Sequence, residues 1–185
     1  MTRYSFVQSA RMLIFLVFLS TGSIARAELV SDTVAGKKTM SKFMVNIAKF
    51  VTWPDDAFSS PTAPYRYCIF GDSVMGEFLD AAMDGKISKK RSFEVSRMDA
   101  SNSEGLKSCN VAFLSLSSTE EIGTVIDSLA GLPILTVGEI KNFASYGGMI
   151  GFYGKGRKIA LAINKKRLEG GGLKGSSRLF RTSTM

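Results

Sequence analysis

The chain has 185 residues, of which 45% are hydrophobic, with a formal net charge of +8 and no histidine. Without an imidazole, the Ser-His-Asp and Cys-His hydrolase schemes and the common histidine-containing zinc sites are excluded. No motif for another metal or cofactor takes their place, so the expectation is a protein without either.

Residues 1–27 read as an export signal. Arg3 and Arg11 form a positive start, Met12 to Leu19 an apolar run, and Ala25-Arg26-Ala27 a small-x-small cleavage site. The apolar run is far short of the roughly 20 residues a spanning helix needs. Cleavage after Ala27 and no stable membrane insertion afterwards are therefore expected. The remaining 28–185 is the size of a single domain. The positive surplus of this part is spread thinly, with short runs at Lys89-Lys90-Arg91 and Lys165-Lys166-Arg167. An exported chain has little occasion to meet nucleic acid, so these runs read as solvated faces or as weak attraction to an anionic membrane or partner.

Over Val34–Val51, Met40, Phe43, Met44, Ile47, Phe50 and Val51 fall at helical spacing, and Pro54 lies just beyond the expected end. Trp53, the single tryptophan, reads either as a plug closing this helix onto a sheet or as a ligand-stacking ring. The stretch 59–64 is turn-like. Tyr65–Gly71 is a strand, and a helix capped by Asp72 or Ser73 runs to about Met83. Ser92–Arg97 alternates as a half-exposed strand. Asn110–Leu116 is more continuously apolar, as in a strand covered on both faces. A helix starting at Ser118–Glu121 and ending near Leu129, a strand at Pro133–Val137 and a short helix from Glu139 to about Tyr146 follow.

Met149–Tyr153 and Lys158–Ile163 then flank Gly154-Lys155-Gly156 as a hairpin. Asn164 caps a last short helix through Leu168, which Gly170-Gly171-Gly172 breaks, and a final element carries Leu173, Leu179 and Phe180. Strand–helix alternation followed by a hairpin implies an α/β fold. Its sheet is mostly parallel and covered by helices on both faces, with a C-terminal hairpin at one edge.

Motifs for catalysis are weak. Asp55-Asp56 and Glu120-Glu121 are adjacent acids of the kind found at helix starts. Gly170–Ser177 approximates a phosphate-binding loop, but Ser176 stands where its lysine belongs and no parallel strand immediately precedes it. Cys68 and Cys109 are an even pair in an exported chain, which favours a disulfide over two buried thiols. Such a bond acts either as a structural staple or as a redox switch.

Seven segments in order resemble one family of exported proteins: Phe43–Pro54, Cys68–Asp72, Cys109–Ser115, Leu135–Glu139, Gly147–Ile150, Ile163-Asn164 and Ser176–Leu179. Together they are similar to the YfiR family over nearly all of Val34–Phe180. The resemblance implies a periplasmic regulator that is not an enzyme. It would bind the periplasmic sensor region of an inner-membrane diguanylate cyclase and hold it inactive, lowering cyclic-di-GMP and biofilm formation. A periplasmic ligand-binding module reporting to a sensor kinase is the alternative. Some relatives carry a second cysteine pair; this chain does not, so any redox sensing would rest on Cys68 and Cys109. Arg167, Leu168 and Leu173, basic and apolar side by side near a sheet edge, are the expected partner surface. A homodimer is also compatible with the sequence.

Overall fold

The computed structural model describes residues 32–155 and 158–182. The export signal and the Gly156 end of the hairpin turn lie outside the described residues. The first helix, α1 (Val34–Phe50), is capped by the Thr33 side chain, which accepts from the Gly36 amide at 2.9 Å. It stops because Val51 leaves helical geometry to enter a two-residue strand, β1 (Val51–Thr52). The sequence pattern extended the helix through Val51, since a valine at that spacing serves a helix face and a strand equally well.

Six strands form the main sheet: β2 (Tyr65–Phe70), β3 (Phe93–Met98), β4 (Val111–Leu114), β5 (Leu135–Gly138), β6 (Ile150–Lys155) and β7 (Lys158–Ile163). Their spatial order is β3-β2-β4-β5-β6-β7. Pairings are parallel from β3 through β6, and only β6–β7 is antiparallel, with Ile150 opposite Ile163. The expected mostly parallel sheet with an edge hairpin is thus present. Helices α2 (Met75–Met83) and α3 (Thr119–Ser128) connect strands, and α4 (Lys165–Gly170), β8 (Lys174–Gly175) and α5 (Ser177–Arg181) complete the chain. β8 pairs with β1, Val51 opposite Gly175, in a small second sheet that fastens the C-terminal segment to the end of α1. Two-residue strands carry no readable period, so this sheet left no trace in the pattern.

Alternation along the strands sends side chains to two cores. Tyr67, Ile69, Val111, Phe113, Leu135 and Val137 face one cluster with Met40, Met44 and Ile47 of α1 and Leu79 of α2. Cys68, Phe70, Ala112 and Leu114 face a second cluster with Leu106 and with Ile122 and Ile126 of α3. β4 is buried at every position, which is why its sequence reads as a continuous apolar run rather than an alternating one.

The segment 139–146 departs from the expected helix. Asn142 adopts φ +63, and the chain turns repeatedly: Phe143 N donates to Ile140 O and Gly148 N to Phe143 O. A left-handed residue cannot continue a right-handed ladder, and its effect is to drive Phe143 into the second core, where the ring is 1% exposed.

Tyr67 is wholly buried in the first core and its hydroxyl donates to Met44 O at 3.0 Å. Burial pushes its pKa well above the ordinary value of 10.0, with neighbouring Tyr65 adding to the effect. Tyr65 is itself raised by burial, partly offset by Arg91. A folded-state pKa above the unfolded one means that this stability is complete below pH 10 and is lost as pH rises beyond it. Lys89, whose pKa burial lowers, works in the opposite sense. The expected outcome is a steep fall in the urea midpoint between about pH 8 and about pH 11, shallower in Tyr67→Phe. Equal slopes in the two proteins would remove Tyr67 as the cause.

Candidate functional site

In open parallel sheets, ligands bind beyond the carboxyl ends of the strands, at the point where strand order reverses. Here that point lies between β2 and β4, and it is closed. Ser115 N donates to Phe70 O at 2.8 Å and its hydroxyl to Asp72 O at 2.9 Å. Gly71, at φ +88, lies so close to the Ser115 carbonyl that any Cβ there would overlap it.

The open space at this end of the sheet is one step along. A cavity of about 870 Å³ lies between the turns after β5 and the β6–β7 hairpin. Its walls include Phe143, Phe152, Gly151 and Ala162, and Glu139, Lys141 and Lys165 supply charge. The Glu139 carboxylate takes both hydrogen bonds from Lys37 Nζ, at 2.8 and 2.6 Å. The two side chains are only 18% and 10% exposed. This pair joins the first turn of α1 to the end of β5 and leaves Lys141 and Lys165, both exposed, as the cationic groups of the cavity wall. Neither Lys37 nor Glu139 was singled out from sequence. The signal was present, because Lys37 shares the α1 face of Met40, Ser41, Met44 and Ala48, and a charge on an apolar face requires a buried partner.

Trp53 does not line this cavity. It is 5% exposed, its Nε1 donates to Asn110 O at 3.2 Å, and its ring lies 5.4 Å from that of Tyr65. Asn110 accepts from Arg66 N and donates to Ala57 O, so its side chain and carbonyl tie β2, β4 and the Trp53 segment together. The Trp53 ring, for which ligand stacking was one of two expected roles, is covered by its own core.

Two of the three residues expected at the partner surface lie in the core. Leu168 is fully buried and Leu173 is 1% exposed, because α4 and the segment leading into β8 close the first core against α1. Arg167 remains partly exposed. Its Nε donates to Gly147 O at 3.0 Å and a terminal nitrogen approaches Ile126 O and the Asp127 carboxylate, so the guanidinium joins α4 to α3. The basic run 89–91 is structural in part as well. Lys89 and Lys90 both have positive φ, Lys89 Nζ donates to Val51 O, and Arg91 lies 3.6 Å over the Phe58 ring while donating to Ser60 O and Ala63 O.

Cys68 and Cys109 form a disulfide with Cα atoms 6.0 Å apart. It links β2 to the residue two before β4, and both cysteines are buried. Among the described residues, no helix is long and apolar enough to cross a membrane.

These features define an α/β protein with one disulfide among the described residues, a closed switch point and a side cavity at the strand ends. The YfiR/HmsC-like family matches residues 16–184, and the chain belongs to that family. The family is one of periplasmic regulators associated with diguanylate cyclases rather than of enzymes. No curated protein matches the chain.

Proposed function

We propose that this protein is exported, loses residues 1–27, and acts in the periplasm as a single domain. There it binds the periplasmic sensor region of an inner-membrane diguanylate cyclase and holds the enzyme inactive. The observation that carries this reading is the family match over residues 16–184, which spans the helix, sheet and disulfide together. Mechanistically, the regulator needs only a higher affinity for the inactive state of its receptor, since a ligand shifts a two-state equilibrium by its differential affinity. A shift from mostly active to mostly inactive receptor requires roughly a 10⁴-fold difference in affinity between the two states.

Deleting the gene is expected to raise cellular cyclic-di-GMP and biofilm. The full chain should restore the low level, and a form lacking residues 1–27 should not. An unchanged cyclic-di-GMP level on deletion would remove this reading.

The cavity beside β5 favours a second reading, a ligand-binding module reporting to a sensor kinase. Its volume of about 870 Å³ is in the range of small-molecule sites. That reading predicts a ligand-dependent rise in melting temperature that substitution of Ala162 by a bulky residue abolishes.

A further inference from the structure

Helix α1 carries lysines at 37, 38, 42 and 49 and no acidic residue. Lys37 is neutralised by Glu139. The other three are exposed and fall at i, i+4 and i+11, on one face with Val45 and Asn46. Lys86, just past α2, faces the same space. Among the described residues, none of these four ammonium groups has a carboxylate partner. Of these lysines only Lys49, in the last turn, serves the helix itself, by complementing its dipole. Lys38 and Lys42 repel each other at i,i+4 spacing.

The four lysines rim a groove of about 600 Å³ between α1 and α2. Its floor is apolar, with Val45 from α1 and Phe78, Ala81 and Ala82 from α2. None of the groove-lining residues is acidic. From Lys38 to Lys49 the groove runs about 16 Å, or three helical turns.

We propose that this groove is the docking site for an amphipathic helix of a protein partner, one that carries carboxylates along the edge of its apolar stripe that faces α1. Ala81 and Ala82 let a third helix approach α2 closely, and the rim supplies charge complementarity and register. The recessed floor distinguishes this surface from a membrane-lying face, which presents its apolar side chains outward. The assignment of the surface stands on the groove itself. Its use against a receptor helix rests on the regulatory reading above.

The test uses protein purified after expression of the full chain and a fluorescent synthetic three-turn helix. The helix has glutamates at i, i+4 and i+11 and alanine and leucine between them. Anisotropy is expected to show binding that weakens with salt and falls at least tenfold in Lys42→Glu/Lys49→Glu. A helix with lysines in place of the facing glutamates should bind that variant and not the wild type. Lys107→Glu, on an exposed lysine paired with Glu104, should bind like the wild type. Unchanged circular dichroism and melting of Lys42→Glu/Lys49→Glu establish that the variant is folded. Lys38→Ala/Lys49→Ala gives the milder loss expected from removing charge without reversing it.

Equal binding of the acidic and basic helices, or no binding of either, would overturn the proposal. So would binding to phosphatidylglycerol vesicles that depends on the same lysines while the acidic helix fails to bind, since the occupant would then be an anionic bilayer. In cells, loss of cyclic-di-GMP repression in Lys42→Glu/Lys49→Glu supports the groove as the receptor surface, and retained repression overturns that use. If the wild type itself does not repress, the regulatory reading fails while the peptide experiment still decides the groove.

Discussion

Replacing Cys68 or Cys109 with serine is expected to lower stability by about 4 kcal/mol. The bond closes a loop with a sequence separation of 41, and chain-entropy arithmetic for a loop of that length gives about this figure. Against typical totals of about 5–15 kcal/mol, the loss is a large share of what holds the domain folded. For a chain of this size it corresponds to a fall in melting temperature of about 8–16 °C. The two single variants should be equivalent and the double no worse than either, because each removes the same bond.

The position of the bond suits a staple. It joins β2 to the start of β4, neighbouring parallel strands in register from Tyr67–Val111 to Phe70–Leu114. Cys68 is 2% and Cys109 4% exposed, so a reductant reaches the sulfurs only when the second core opens. The measurement is the urea midpoint of the wild type and both serine variants, with and without dithiothreitol. Equal midpoints would remove the staple. A bond reduced rapidly under native conditions, at a rate independent of urea, would instead assign it to redox sensing.

Much of the fold was legible because its signals are local. The Asn164 cap, the apolar face of α1, the continuous burial of β4 and the glycines after α4 are all read from neighbours in the chain. The paired cysteines were legible through composition and compartment. Failures came where a residue answers to something distant in sequence. Val51 belongs to a strand only because Gly175 pairs with it. Leu168 and Leu173 look like a surface next to Arg167, yet they are the closing side chains of a core whose other walls come from α1. For Trp53 the sequence left two roles open. The deciding fact, a hydrogen bond to Asn110, spans 57 positions that no periodicity connects.

The surfaces follow from the same division of labour. The second face of the sheet is covered by α3 over its centre but by turns alone near β6 and β7, and the cavity lies there. The first face is covered by α1 and α2, and what these helices offer outward is the groove between them. The chain thus has two separate concave surfaces, a cavity of small-molecule size beside β5 and a basic groove between α1 and α2. The Lys37–Glu139 pair ties α1, the helix that carries the groove, to a residue of the cavity wall.

Phe143→Ala is expected to cost about 3–5 kcal/mol, the range for deleting a large buried aromatic side chain. The ring is 1% exposed and sits on a floor of glycine. A Cβ at Gly148 or Gly138 would overlap the ring, and one at Gly151 would lie 3.2 Å from the Phe143 Cβ. The backbone of β5 and β6 has thus been cleared of side chains to admit one aromatic ring, and Asn142 turns the chain to deliver it. The packing is specific enough to test by compensation. Gly148→Ala should destabilise the wild type by about 1–3 kcal/mol through overpacking. In a Phe143→Leu background the same change should cost much less, because the smaller side chain leaves room for the methyl group. Additive costs in the double variant would show that the glycines serve the turn rather than the ring. Because Phe143 also walls the cavity, Phe143→Ala should enlarge it. If the cavity holds a ligand, the variant's melting temperature should respond to that ligand less than the wild type's, whereas its repression of cyclic-di-GMP should fall only as far as its folded fraction falls.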